Sequence, residues 1–158
     1  MDNAELQKRI TVLEDIEAIK KLKARYCGVC DDDHNPAKIT TLFAEDGIWE
    51  GVGTVGQHQG HAAIRKLFEG FKERISFSQH NVFNPRIEVN GNTAHGIWYF
   101  MGPFTFREGN RAVWLAARYE EDYLKIDGAW KFQRLNAIGR LVAPYEGGWA
   151  SRMKPFSD

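Results

Sequence analysis

The chain has 158 residues, of which 43% are hydrophobic and 27% charged, and this composition fits a single globular domain over 1–158 with a sizeable core. Lys plus Arg and Asp plus Glu each number 21, so the formal net charge is zero. This balance argues against a nucleic-acid-binding protein and against a polybasic membrane surface. The sequence also has neither a signal-peptide pattern nor an apolar run of bilayer length, so we expect a cytoplasmic protein.

The chain begins with a long amphipathic helix. Apolar residues recur every three or four positions from Leu6 to Val29, and charged residues, Lys23 among them, are expected on the opposite face. The first dozen residues are expected to project beyond the domain core, which spans about 14–143, and to pack on a neighbour. Gly28 and the acidic run 31–36 are expected to end the helix.

The rest of the chain predicts two more helices and then a meander of strands. A short helix is expected over 36–43, a strand over 46–50 and a third helix over 60–74. Four strand-like runs follow, at about 77–90, 94–107, 111–126 and 129–143, with turn residues between them. Helices followed by consecutive strands indicate an α+β fold, and the tail 145–158 is expected to be irregular.

Three residues stand out as a possible acid–base site. Tyr26 and Asp31 lie about 140° apart on a regular helix, so they can face one cavity only if Asp31 lies past the helix end. His80 shares a predicted strand face with Ser78 and Val82. An imidazole is a suitable general base near neutral pH, and a carboxylate on its far nitrogen would fix its tautomer. Alternatively, Tyr26 and His80 are core residues and Asp31 is a solvated loop acid.

Other motifs carry weaker signals. Cys27 and Cys30 form a CxxC at a helix C-terminus, where the helix dipole disfavours a thiolate, so they are interpreted as packing residues in a reducing compartment. His58 and His61 lack a third ligand and the helical context of a zinc motif. The glycine-rich segment 51–56 has no phosphate-loop Lys. We therefore predict no metal and no cofactor.

The order of these pieces resembles the SnoaL-like branch of the nuclear transport factor 2-like superfamily over about 14–143. The matching features are the helix leading to Tyr26 and Asp31, the run 43–47, the helix opening at Gly60, His80, and the hairpin 126–132. The dehydratase-like members, which include scytalone dehydratase, bile-acid 7α-dehydratase and hexachlorocyclohexane dehydrochlorinase, are the most similar. The resemblance implies a cone-shaped barrel of a strongly curved, mostly antiparallel sheet around three N-terminal helices, assembled as homodimers or trimers. It also implies that Tyr26, Asp31 and His80 are the catalytic set.

Strand alternation then predicts which residues line a hydrophobic substrate pocket. They are Trp49, Trp98, Phe100, Phe104, Leu115, Ala117, Tyr119, Leu135 and Ala137.

The leading functional interpretation is a cofactor-independent lyase that acts on a small hydrophobic cyclic substrate. His80 would abstract a proton, Asp31 would orient it, and Tyr26 would assist a carbonyl oxygen or the leaving group. An isomerase or polyketide cyclase using the same base is the second possibility. A non-catalytic small-molecule-binding domain is the third, because this fold supports several functions.

Overall fold

The computed structural model describes residues 2–51 and 55–149, and this part of the chain contains three α-helices. Asp2 caps the first helix by accepting a 2.8 Å hydrogen bond from the Glu5 backbone N–H. Asn35 caps the second through its side-chain oxygen, and Pro36 occupies the first turn. The bounds are α1 Asn3–Asp31, α2 Pro36–Thr40 and α3 Gly60–Arg74.

Seven strands form one curved mixed sheet in the described residues. Their order is β2-β1-β7-β6-β5-β3, and β4 pairs with β5 beside β3. The β1–β7 pair is parallel and every other pair is antiparallel. The bounds are β1 Phe43–Gly51, β2 Gly56–Gln59, β3 Ile75–Ser78, β4 Asn81–Asn90, β5 Thr93–Phe106, β6 Arg111–Ile126 and β7 Ala129–Pro144.

The helices cover the concave side of this sheet, so the predicted α+β cone is confirmed. The third helix and the last two strands match their predicted bounds within one residue. The described part of the tail, Tyr145–Trp149, contains neither helix nor strand, as predicted, and 150–158 lie outside the described residues. No helix among the described residues is long and apolar enough to cross a bilayer.

Three strand predictions need correction. β1 begins at Phe43 instead of Asp46, and an unpredicted strand β2 follows it within the glycine-rich region. The run 77–90 is two strands, separated at Gln79 and His80. This break packs against Gly102 of β5, where an added Cβ would lie 1.8 Å from the Gln79 carbonyl oxygen. The absence of a side chain at Gly102 therefore permits the bend that carries His80.

Helix α1 has two distinct halves. Leu6, Ile10 and Leu13 expose 43%, 39% and 66% of their surface, whereas Ile19 and Leu22 are fully buried. Lys23, which was expected on the polar face, is also fully buried and forms an ion pair with Glu121 of β6. The prediction was wrong because a helix enclosed by a curved sheet has a wider buried face than its apolar stripe alone indicates.

Candidate active site

An apolar cavity of about 570 Å³ lies between the helices and the concave face of the sheet. This volume suits a ligand of a few fused rings. Of the nine residues that strand alternation predicted to line a pocket, seven do so: Trp49, Phe100, Phe104, Leu115, Ala117, Tyr119 and Ala137.

The other two predicted lining residues, Trp98 and Leu135, lie in the core instead. The Trp98 indole N–H donates a 3.0 Å hydrogen bond to the Tyr123 hydroxyl, and Leu135 is fully buried. Both residues belong to the buried core cluster, where neighbouring side chains fill the space. Alternation predicts the face of a strand residue and not its depth in the cone.

His80 is held on the cavity wall by Asp31. The two side chains meet at 2.7 Å between His80 Nδ1 and Asp31 Oδ1, and the same carboxylate accepts the His80 backbone N–H at 2.9 Å. Ser78 Oγ donates a further 3.1 Å hydrogen bond to Asp31. An ionised carboxylate can only accept hydrogen bonds, so Nδ1 of His80 carries the ring proton. Nε2 is therefore unprotonated and has a free lone pair.

Asp31 reaches His80 from the outside of the cavity. It is the last residue of α1 and not a loop residue, so the condition under which it could face the cavity together with Tyr26, a position past the helix end, is not met. Tyr26 lines the cavity and Asp31 does not. The Tyr26 and Asp31 side chains were predicted to point in roughly opposite directions. They can still serve one cavity, because His80 lies between Asp31 and the cavity.

The electrostatics favour a neutral imidazole beside an ionised carboxylate. Burial lowers the pKa of His80, and the hydrogen bond and charge of Asp31 only partly counteract this. Burial raises the pKa of Asp31, but the hydrogen bonds from the His80 ring and backbone outweigh it, and the net pKa lies below the ordinary value. The His80 ring also packs 5.0 Å from Phe100 and 5.1 Å from Phe104, centroid to centroid, which keeps its surroundings apolar.

Tyr26 provides a protonated phenol in the same cavity. Burial raises its pKa well above the ordinary value, so the hydroxyl stays neutral. The Trp49 indole N–H donates a 2.9 Å hydrogen bond to the Tyr26 oxygen and fixes its position. A neutral phenol at this place can donate a hydrogen bond and cannot act as a base near neutral pH.

A buried ion pair lies next to the cavity-lining Tyr119. Lys23 Nζ is 3.4 Å from the centroid of the Tyr119 ring and pairs with Glu121, which also accepts the Tyr123 hydroxyl. The pair lies among aromatic rings and satisfies its charges internally. Nothing in the apolar periodicity of α1 singles Lys23 out from its exposed neighbours, so sequence reasoning missed it.

Several other lining residues were also missed. The most polar are His34, in the turn after α1, and Arg74, at the end of α3. His34 lay within the acidic run that was interpreted only as a helix stop. Phe68 and Phe71, on the predicted third helix, also line the cavity, and the sequence does not show that this helix borders a cavity instead of packed core.

The Cys27/Cys30 thiols are packed in the core, and the His58 and His61 rings contact backbone carbonyl oxygens. Cys27 and Cys30 are free and buried, and burial raises the pKa of Cys27 to about 11 and that of Cys30 well above the ordinary thiol value. His58 and His61 each place Nε2 beside a backbone carbonyl oxygen, at 2.9 and 3.1 Å. Within the described ranges no group of three or more His, Cys, Asp or Glu side chains could hold a metal ion.

The curved sheet, the three helices and the interior cavity together define an α+β cone. The sequence profile of the SnoaL-like domain matches residues 11–136. The chain therefore belongs to the SnoaL-like domain family.

A curated relative is an enzyme. Gamma-hexachlorocyclohexane dehydrochlorinase of Sphingobium indicum is 28% identical over 121 residues, which cover 73% of this chain and 75% of the relative. Dehydrochlorination is an elimination, so the chain is related to a lyase.

Solved structures share the fold. The crystal structure of LinA superposes with a TM-score of 0.82 at 22% identity, covering 92% of this chain and 99% of LinA. A nuclear transport factor 2-like protein of Salmonella enterica superposes with a TM-score of 0.71 at 17% identity, covering 87% and 96%. At these identities the similarity establishes the fold and not the reaction.

Proposed function

We propose that the protein is a cofactor-independent lyase that eliminates water, or another leaving group, from a small hydrophobic cyclic substrate. The observation that carries this proposal is the 2.7 Å contact between Asp31 and the His80 ring at the wall of an apolar cavity. The relationship to a dehydrochlorinase supports an elimination in general. A binding domain without chemistry would not need this paired, neutral imidazole.

In the proposed reaction, Nε2 of His80 removes a proton from a carbon next to a carbonyl group. The electron pair of that C–H bond forms the new double bond, directly or through an enolate, and the bond to the leaving group breaks. The His80 imidazolium then returns its proton to a departing hydroxide, which leaves as water. The Asp31 carboxylate stabilises the imidazolium while it exists.

Tyr26 has the complementary role in this proposal. Negative charge develops on the carbonyl oxygen as the proton leaves, and a neutral phenol donor within the cavity stabilises it. Trp49 supports this role because its N–H occupies an acceptor position on the Tyr26 oxygen. The phenolic proton is in hydrogen-bond contact with Cys30, and a carbonyl oxygen, which is a stronger acceptor than a thiol, would take the place of that contact.

The experiment is a screen of cyclic β-hydroxy ketones and of hexachlorocyclohexane, with the products identified by mass. Loss of one water or one HCl supports a lyase, whereas an unchanged mass favours the isomerase or cyclase. His80→Gln and Asp31→Asn are expected to lower the rate by about 100-fold or more. Wild-type rates in both variants would refute the proposed mechanism.

The structure offers a matched control pair for this experiment. His95 Nδ1 lies 2.8 Å from Asp122 Oδ1, but both side chains are about half exposed, and neither lines the cavity. His95→Gln and Asp122→Asn make the same chemical changes outside the site. Both variants are expected to keep the wild-type rate.

We further propose that the protein self-associates through the first half of α1. The exposed Leu6, Ile10 and Leu13 recur at helical spacing and form an apolar stripe beyond the core. Sedimentation at several concentrations is expected to show a dimer or trimer for the wild type. Leu13→Glu, which places a charge on the stripe, is expected to shift the distribution toward monomer, and an unchanged distribution would exclude this surface.

A further inference from the structure

His34 is a buried titratable side chain in the cavity that the proposed mechanism does not use. It exposes 4% of its surface and lines the same cavity as His80. Its ring centroid lies 6.0 Å from that of His80, 5.7 Å from Phe71 and 6.2 Å from Phe68. No described residue forms a hydrogen bond with either ring nitrogen of His34.

The backbone holds His34 in place. Its φ of +50° lies in the left-handed region, which histidine tolerates better than most residues. Its N–H donates a 3.1 Å hydrogen bond to the Cys30 carbonyl oxygen and closes the end of α1. The next residue, Asn35, caps α2. The ring is therefore fixed between two helices and directed to the cavity wall.

The His34 ring is neutral near neutral pH. Burial, reinforced by the neighbouring His80, lowers its pKa from 6.5 to about 4 against the opposing charges of Asp31 and Asp33. A neutral imidazole has one N–H donor and one acceptor nitrogen. The His34 ring nitrogens are not among the described side-chain atoms that are fully enclosed without a partner, so they open onto the cavity, and a group inside the cavity is expected to supply their partner.

We propose that this partner is an oxygen substituent of the substrate. His34 then donates a hydrogen bond to the second lone pair of the carbonyl oxygen that Tyr26 also contacts, while His80 acts on a neighbouring carbon of the same ring. The two imidazole rings meet edge to face, 6.0 Å apart centroid to centroid, so they border the same part of the cavity and can reach adjacent positions of one substrate. The substrates are accordingly oxygenated rings and not halogenated hydrocarbons, because chlorine is a poor hydrogen-bond acceptor. This inference rests on the proposed function and specifies its substrate class.

The test compares two ligands that differ mainly in one oxygen, α-tetralone and tetralin. Their affinities are measured by displacement of the fluorescent dye N-phenylnaphthylamine from the cavity. Loss of one buried hydrogen bond corresponds to roughly a tenfold change in affinity. His34→Phe is therefore expected to lower the ratio of α-tetralone to tetralin affinity by about tenfold, and His34→Gln, which retains an amide donor, is expected to keep most of it.

The control is His95→Phe, which removes an imidazole outside the cavity and is expected to leave the ratio unchanged. Because both ligands are measured on the same protein, partial destabilisation of a variant affects both affinities alike. An unchanged ratio in His34→Phe would overturn the proposal.

A second measurement uses the wild-type protein, so it does not depend on whether a variant folds. In wild-type protein with ¹⁵N-labelled histidine, α-tetralone is expected to shift the His34 ring nitrogen resonances and tetralin is not. Equal or absent shifts would overturn the proposal. Neither ligand carries a leaving group, so both tests give their answer whether or not the protein proves to be a lyase.

Discussion

The Asp31 carboxylate binds both the backbone and the side chain of His80. It accepts hydrogen bonds from the backbone N–H at 2.9 Å and from ring Nδ1 at 2.7 Å. The first contact fixes the bend between β3 and β4, and the second fixes the rotation and tautomer of the ring. One carboxylate at a helix end therefore determines the fold of the bend and the direction of the free Nε2 lone pair.

The pH dependence of stability is expected to follow His34. Its pKa is about 4 in the folded protein and near 6.5 when unfolded. Between these values the unfolded chain binds a proton that the folded protein does not, so protonation favours unfolding and stability falls as the pH falls through this window. Urea unfolding of His34→Gln is expected to lose less free energy from neutral pH to about pH 4 than the wild type. Parallel losses in the two proteins would contradict the assignment.

The activity is expected to fall on the acid side through a second histidine, His80. Its folded pKa is lowered by burial, so the free base is the main form at neutral pH and becomes protonated only below the ordinary histidine range. The rate on any substrate found by the screen should therefore be flat around neutral pH and decline only at a pH below the ordinary histidine range. A rate that is highest in acid would show that the protonated ring is the active form.

Gly102 is expected to be intolerant of any side chain. Gly102→Ala would place a methyl group 1.8 Å from the Gln79 carbonyl oxygen, so the bend that carries His80 must move. We expect a loss of about 2–4 kcal/mol in the free energy of unfolding. Gly28→Ala is the matched control, because that position in α1 has nothing within 4 Å, and it should be neutral or stabilising by about 0.5–1 kcal/mol. Equal stability of both variants would refute the close contact.

Removing one residue of the buried Lys23–Glu121 ion pair is expected to destabilise the fold more than changing both residues together. Lys23→Met leaves Glu121 charged in an apolar interior and should cost about 3–5 kcal/mol in the free energy of unfolding. The double variant Lys23→Met/Glu121→Gln should recover part of this loss. Lys20→Met removes an exposed partner of Glu17 and should change stability by less than about 1 kcal/mol. Denaturant unfolding of the three variants tests the comparison, and a mild effect of Lys23→Met alone would contradict it.

Local patterns predicted most of the fold. The helical spacing of apolar residues located α1 and α3, and turn residues separated β5, β6 and β7. They did not predict the break at Gln79 and His80, because its cause is the contact with Gly102, more than twenty residues away. Lys23 was misplaced for a similar reason, since its partner Glu121 lies on β6 and periodicity within α1 carries no information about it.

The candidate site was predicted unevenly. Asp31 and His80 were paired from the chemistry of an imidazole base and a carboxylate, and the family resemblance supported the pairing; their contact is present in the structure. The lining residues on the sheet followed from alternation, but alternation could not separate cavity positions such as Phe100 from packed positions such as Trp98. His34 was overlooked because its burial depends on α3 packing over a polar turn, which no sequence pattern in that turn indicates.

Proton transfer by His80 can be measured without knowing the natural substrate. In deuterated buffer, a base in the cavity should accelerate deuterium uptake at the carbon next to the carbonyl of α-tetralone, followed by NMR. We expect wild-type protein and His95→Gln to accelerate this exchange and His80→Gln to reduce it to the buffer rate. Exchange at the wild-type rate in His80→Gln, or no acceleration by wild-type protein saturated with the ketone, would contradict the account.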